Sequence, residues 1–179
     1  KTDESMIIYD VKGELYEQTA EMLKENGYKT IIINYSNPKA SNCYNPLSLP
    51  YELYKGGKTD EVSDIVENIG YYLLSKDKDL SDPFWTNMAV DLFTGVTLYL
   101  FDKANEEQIN ITNVANFIMK LNDSDDSKKL LKELDKKQKY YLYLKEVLST
   151  PEDTRNSIIA VTNQMIKPYV FRENMARMM

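Results

Sequence analysis

The sequence has 179 residues, 42% of them hydrophobic and 28% charged, with a net charge of −6, a single cysteine and no histidine. This balance suits a folded globular chain and excludes extended disorder, and the acidic excess argues against a chain that grips nucleic acid mainly through its own surface charge. Without histidine the usual general base of nucleophilic triads and the commonest metal ligand are missing, and Cys43 alone can form neither an internal disulfide nor a Cys-rich zinc site.

The chain begins at Lys1, and its first 36 residues differ in pattern from the remainder. Met6-Ile7-Ile8-Tyr9 is a short apolar run of the kind that forms a buried strand. Asp10-Val11-Lys12-Gly13-Glu14 breaks it, and Leu15, Ala20, Met22 and Leu23 then suit a helix to Asn26, with Gly27 at its C-terminal cap. Lys29-Thr30-Ile31-Ile32-Ile33-Asn34 reads as a second strand. Strand, helix and strand in this order predict a parallel βαβ unit over residues 1–36. Parallel sheets are normally larger and covered on both faces, so the unit is expected to be a remnant of a larger α/β domain.

Residues 37–57 are rich in Pro, Asn, Ser, Tyr and Gly and read as a linker. From 58 to 179 the pattern predicts a helical domain of roughly six or seven helices, a bundle. Thr59 to Ser75 carries Val62, Ile65, Val66, Ile69 and Leu73 at helical spacing. Asp82-Pro83 opens a long apolar helix reaching about Phe101, by an N-cap followed by proline at the first helical position. Ile111 to Leu121 is a shorter helix with Thr112 as its cap, and Ser124 opens a charged stretch that leads into the Tyr-rich run ending near Leu148. Thr150-Pro151-Glu152-Asp153 predicts another start, with a helix stopping near Pro168 and a last short one over Phe171 to Met178. The expected core is Val62, Ile65, Ile69, Trp85, Leu92, Phe93, Val96, Leu100, Phe117, Leu144, Ile158, Ile159, Val161 and Met165.

Two clusters are candidates for contact chemistry. Asp10, Lys12 and Glu14 stand directly after an expected strand, where α/β domains place ligand crevices, although a plain strand-to-helix turn explains them equally well. Lys128, Lys129, Lys132, Lys136, Lys137 and Lys139, with Tyr140, Tyr141 and Tyr143 next in the chain, offer charge and stacking to single-stranded nucleic acid. Asp125, Asp126, Glu133 and Asp135 interleave with them, the pattern of a solvated helix face. Gly56-Gly57-Lys58-Thr59 imitates the end of a phosphate-binding loop, but Glu52 stands where that loop needs its first glycine, so a turn before a helix is expected. No apolar run approaches the ~20 residues of a membrane span, and no signal peptide is visible.

Four landmarks resemble the coupling ATPases of conjugative type IV secretion. Ser5 to Tyr16 is similar to the strand and Lys-Gly-Glu-Leu turn that come after the Walker A helix in that family, and Asn45-Pro46-Leu47 to its Asn-Pro-Leu linker. Ser81-Asp82-Pro83-Phe84-Trp85 resembles the opening of a main helix of the family's all-α domain, and Thr154-Arg155-Asn156-Ser157-Ile158-Ile159 its Thr-Arg-Gly-Ser-Ile segment. Val11, Tyr44 and Asn156 depart from the family's proline, tryptophan and glycine. The resemblance implies that residues 1–36 are a remnant of a RecA-like nucleotide-binding domain and that the rest is the inserted helical domain. It implies a membrane-anchored hexameric parent, using ATP and Mg²⁺, that delivers DNA–protein substrates to the secretion channel. Asp10, Lys12 and Glu14 would then lie near the parent's nucleotide site. The chain itself, without Walker A and B motifs, is expected to bind no cofactor or metal and to turn over nothing. Its partners would be relaxase, relaxosome accessory or effector proteins at the cytoplasmic face of the membrane, with channel components met through the parent and DNA only weakly.

Overall fold

A computed structural model describes residues 4–74 and 82–172, which fall into two compact units divided between Asn42 and Cys43. Among the described residues there are eight α-helices and no strand.

The first unit holds α1 (Glu14–Glu25). Its start is built by Asp10, whose Oδ1 accepts from Gly13 N at 2.9 Å and whose Oδ2 accepts from Tyr16 N at 2.9 Å. Gly13 takes φ +83°, a left-handed conformation that favours glycine. At the other end Gly27 N bonds Lys24 O and Tyr28 N bonds Leu23 O, the paired closure predicted for a glycine cap.

The predicted βαβ remnant is not formed. Met6–Tyr9 makes no ladder and stays exposed, Ile7 completely so. In the second apolar run Ile32 N donates to Asn42 Oδ1 (2.8 Å), Asn34 N donates to Ser41 Oγ (2.9 Å), and Asn42 N returns to Ile32 O (2.7 Å). The backbone groups that a neighbouring strand would use are taken by a returning turn. Two parallel strands without further partners bury too little to hold a ladder together.

The second unit holds α2 (Ser48–Lys55), α3 (Thr59–Leu74), α4 (Pro83–Lys103), α5 (Ile111–Lys120), α6 (Ser124–Glu133), α7 (Tyr140–Leu148) and α8 (Glu152–Val170). The stretch read as a linker thus carries a helix: Leu47 is fully buried, and Tyr51 and Tyr54 set their rings against Phe101. Pro50 is tolerated because it lies in the first turn, where no intrahelical donor is required. Lys58 N to Leu53 O and Gly57 N to Tyr54 O close α2, so Gly56-Gly57 is a helix stop, and the segment is the turn before a helix that was expected.

Helix α4 is the axis of this unit. Buried residues lie on all its faces, from Met88 to Phe101, and it packs against α3, α5, α7 and α8. Asp82 caps it as predicted, its Oδ1 accepting from Phe84 N at 2.9 Å. Gly95 lets α7 close in: a Cβ there would stand 2.8 Å from Leu144 Cγ and 2.9 Å from Tyr143 Cβ.

Several predicted boundaries shift. Asn110, not Thr112, caps α5 through Asn113 N (2.9 Å). Helix α6 opens at Ser124 as expected, capped by Asp123 through Asp125 N (2.8 Å). Thr150 does not cap α8, because its hydroxyl donates back to Val147 O (2.7 Å). Helix α8 runs past Pro168 to Val170. The charged stretch ends at Leu134, whose extended backbone separates α6 from α7. Of the expected core, Val62, Leu92, Phe93, Val96, Leu144, Ile158 and Ile159 are buried; Ile69, Trp85, Leu100, Phe117 and Met165 pack against it, while Ile65 and Val161 do not join it. The expected last helix over Phe171 to Met178 lies outside the described residues except for Phe171 and Arg172, which are not helical.

Candidate functional site

In the first unit, Asp10 uses both carboxylate oxygens to start α1, and Glu14 occupies the first turn, where negative charge favours the helix. Lys12 is exposed, and no ion pair joins it among the described residues. The three therefore share one turn, which Asp10 holds with both carboxylate oxygens.

The lysine cluster divides between two elements. Lys128, Lys129 and Lys132 stand exposed on α6, and Lys136, Lys137 and Lys139 lie on the turn into α7. Asp125 and Asp126 sit in the first turn of α6, Glu133 ends it, and Asp135 Oδ1 accepts from Lys137 N at 2.9 Å. Lys139 is engaged by Asp60 of α3 in an ion pair. The adjoining tyrosines turn inward: Tyr140 is buried, and its ring meets Tyr99 edge-on. The basic and aromatic features thus part, the tyrosines joining the core and five lysines remaining on the surface.

A small cavity of about 170 Å³ lies beside this turn, lined by Tyr54, Thr59, Ser63, Lys137, Lys139 and Tyr140 among others. Behind it Asp102 accepts hydrogen bonds from Tyr140 (3.3 Å) and Tyr54 (3.5 Å). Burial, then the Asp102 charge, pushes the Tyr54 hydroxyl up to about 12. Both phenols are pushed above their ordinary value and stay neutral, so they serve as hydrogen-bond donors rather than bases.

Three carboxylates meet where α3, α4 and α7 converge. Asp91 is half-buried, and burial, then the charges of Glu146 and Glu67, raises its carboxyl to about 6. Tyr143 donates to Glu67 beside it, and burial together with that carboxylate raises the Tyr143 hydroxyl further. Among the described residues no group of side chains is placed to hold a metal ion.

Sequence reasoning gave Arg155 no role beyond its place in the Thr-Arg-Asn-Ser-Ile-Ile segment. It is 4% exposed, and its Nε and Nη2 have no hydrogen-bond partner among the described residues. The signal that could have found it is spacing: Arg155 continues the stripe of Ile158, Ile159, Thr162, Ile166 and Tyr169 that α8 buries.

Taken together, these features define a mainly helical protein. Comparison with known families gives its place: residues 1–177 match the family described as type IV secretory system conjugative DNA transfer, and the chain belongs to that family. No match was found among curated proteins or among solved structures. No helix among the described residues is long and apolar enough to cross a membrane.

Proposed function

We propose that the helical unit is a cargo-recognition domain in conjugative DNA transfer, receiving relaxase, relaxosome accessory or effector proteins for delivery to the secretion channel. Family membership supports the setting. The observation that carries recognition of protein rather than DNA is the state of the lysine cluster. Its exposed members alternate with Asp125, Asp126, Glu133 and Asp135, its tyrosines are turned toward the core, and the whole chain carries a charge of −6. Dispersed lysines among carboxylates release few counterions and hold a polyanion weakly.

In this proposal the chain turns over no nucleotide. ATP and Mg²⁺ belong to a larger hexameric, membrane-anchored parent whose RecA-like domain includes residues 1–36, with 37–57 leading into the helical domain. Asp10, Lys12 and Glu14 face that parent's nucleotide site, and the helical domain works at the cytoplasmic face of the membrane.

The test is calorimetric titration of the 179-residue chain with the relaxase of the same conjugative element, beside titration with single-stranded DNA at two salt concentrations. Relaxase binding with no salt-sensitive DNA binding is expected. DNA binding that weakens steeply with salt, in the absence of relaxase binding, would transfer the role to a nucleic-acid-contacting module using Lys128, Lys129, Lys132, Lys136 and Lys137.

A further inference from the structure

An arginine side chain keeps its charge at any pH at which the protein is folded, and a buried charge is costly unless it is paired and hydrogen-bonded. Arg155, near the start of α8, is 4% exposed, yet among the described residues its Nε and Nη2 have no acceptor. These two nitrogens flank one edge of the guanidinium, the fork that grips a planar oxyanion through two parallel hydrogen bonds. The four ion pairs among the described residues all use lysine. Among the described residues nothing pairs with the fork of the buried Arg155.

Two buried hydroxyls are satisfied within their own helices, Thr97 on Phe93 O and Thr162 on Ile158 O, each at 2.8 Å. The exceptions gather on α8. Asn156 Oδ1 and Asn163 Oδ1, seven residues apart and so on one stripe of the helix, also lack a donor. Outside α8 only Thr94 Oγ1 is in this state among the described residues. The helix thus presents an unfilled cationic fork next to a stripe of unfilled acceptors.

We propose that Arg155 is a socket for a carboxylate carried by a partner protein, with Asn156 and Asn163 receiving N–H groups of the same segment. A peptide supplies both kinds of group. A DNA backbone supplies acceptors only, so it fills the fork and leaves the two asparagine oxygens unmet, and the acidic chain repels it. At the start of α8, Pro151 is the N-cap, no side chain caps the first turn, and Thr150 is bonded backward to α7. Docking opens this turn and exchanges an empty fork for a filled one.

The proposal deepens the recognition reading and rests on it only for the partner's being a cargo protein. Its test needs no cargo. In the 179-residue chain, Arg155→Met keeps most of the side-chain volume and removes the charge; the melting temperature should rise by about 2–6 °C. At matched ionic strength, acetate should raise the melting temperature of the wild type relative to chloride, and the dipeptide glycylglutamate should raise it more. Both should shift the Arg155 Nε–H resonance in ¹⁵N-resolved spectra. Arg155→Met should respond to neither, and Arg155→Lys, charged but without a fork, should lose most of the response. A lower melting temperature in Arg155→Met overturns the proposal, because it shows that the chain supplies its own counter-charge. So does a wild type indifferent to acetate and the dipeptide, or one that inorganic phosphate stabilises more than either. If the carboxylate response appears while the relaxase fails to bind, the socket stands and the cargo reading falls.

Discussion

Asp91 offers the most direct test of the electrostatics of the helical unit. It is half-buried on α4, and the groups that face it are all acidic or neutral: Glu67 from α3, Glu146 from α7, and the Tyr143 hydroxyl already committed to Glu67. Its carboxyl is raised from 3.8 to about 6 by burial first and by the two neighbouring carboxylates second. A shift of this size corresponds to ~3 kcal/mol between protonation states, and solvent screening at a half-exposed site reduces it to about 1–2 kcal/mol. The folded state holds the proton more tightly than the unfolded state, so stability is greatest below the unfolded value. It falls as pH rises through about 6, and the full penalty is present at neutral pH. Asp91→Asn removes the charge at nearly constant shape. In a thermal melt at pH 7.5 it should raise the melting temperature by about 3–6 °C, and at pH 4 the gain should nearly vanish. An equal gain at both pH values, or a loss at pH 7.5, would refute the assignment of the penalty to the buried charge.

Close packing of α4 on α7 predicts an asymmetry between two helical glycines. A Cβ at Gly95 meets Leu144 and Tyr143 at 2.8–2.9 Å, inside a filled core, so Gly95→Ala should destabilise by about 1–2 kcal/mol in urea unfolding, despite alanine's better helix propensity. At Gly70 the nearest atoms, Phe93 Cδ1 and Val90 Cγ1, stand at 3.2 and 3.3 Å, and Gly70→Ala should fall within about 0.5 kcal/mol of the wild type. Asp82→Ala removes the cap of α4 and should cost about 1 kcal/mol by the same measurement, whereas Asp82→Asn should retain most of it.

How much of this fold could be read from the residues depended on whether the deciding contact was local. Asp82-Pro83 and Gly27 were legible because a cap is made within a few residues of itself. The caps of α5 and α8 were misplaced, and that of α6 went unread, where several residues able to cap stand side by side. At Asn110 and Asp123 an extended backbone aims the oxygen at the right N–H groups, and Thr150 instead bonds its own preceding helix. The two apolar runs of the first unit carry the composition of strands, but pairing is a property of the neighbour, and Ser41 and Asn42 take the hydrogen bonds instead. Helix α2 was hidden by the prolines, asparagines and glycines around it, although Leu47, Tyr51 and Tyr54 already stood at helical spacing. Of the lysine cluster, the surface position was legible and the pairing of Lys139 with Asp60 was not, since 79 residues separate them.

Arg155 and Asp91 raise a sharper question, because one unit withdraws a cation and an anion from water without using either to neutralise the other. The forces that raise the Asp91 carboxyl are burial and two like charges, and Arg155 is not among the groups acting on it. Had folding alone shaped these positions, pairing the two would have cost less than leaving both uncompensated. Their independence can be measured by a double-mutant cycle of Asp91→Asn and Arg155→Met in the 179-residue chain at pH 7.5. Each single change should stabilise, and the double variant should gain their sum to within about 0.5 kcal/mol, as expected for sites that share no partner. A coupling beyond about 1 kcal/mol would mean that the two charges sense one another through the helical core. Arg155 would then already have its counter-charge in Asp91, and the case for an external carboxylate would fail.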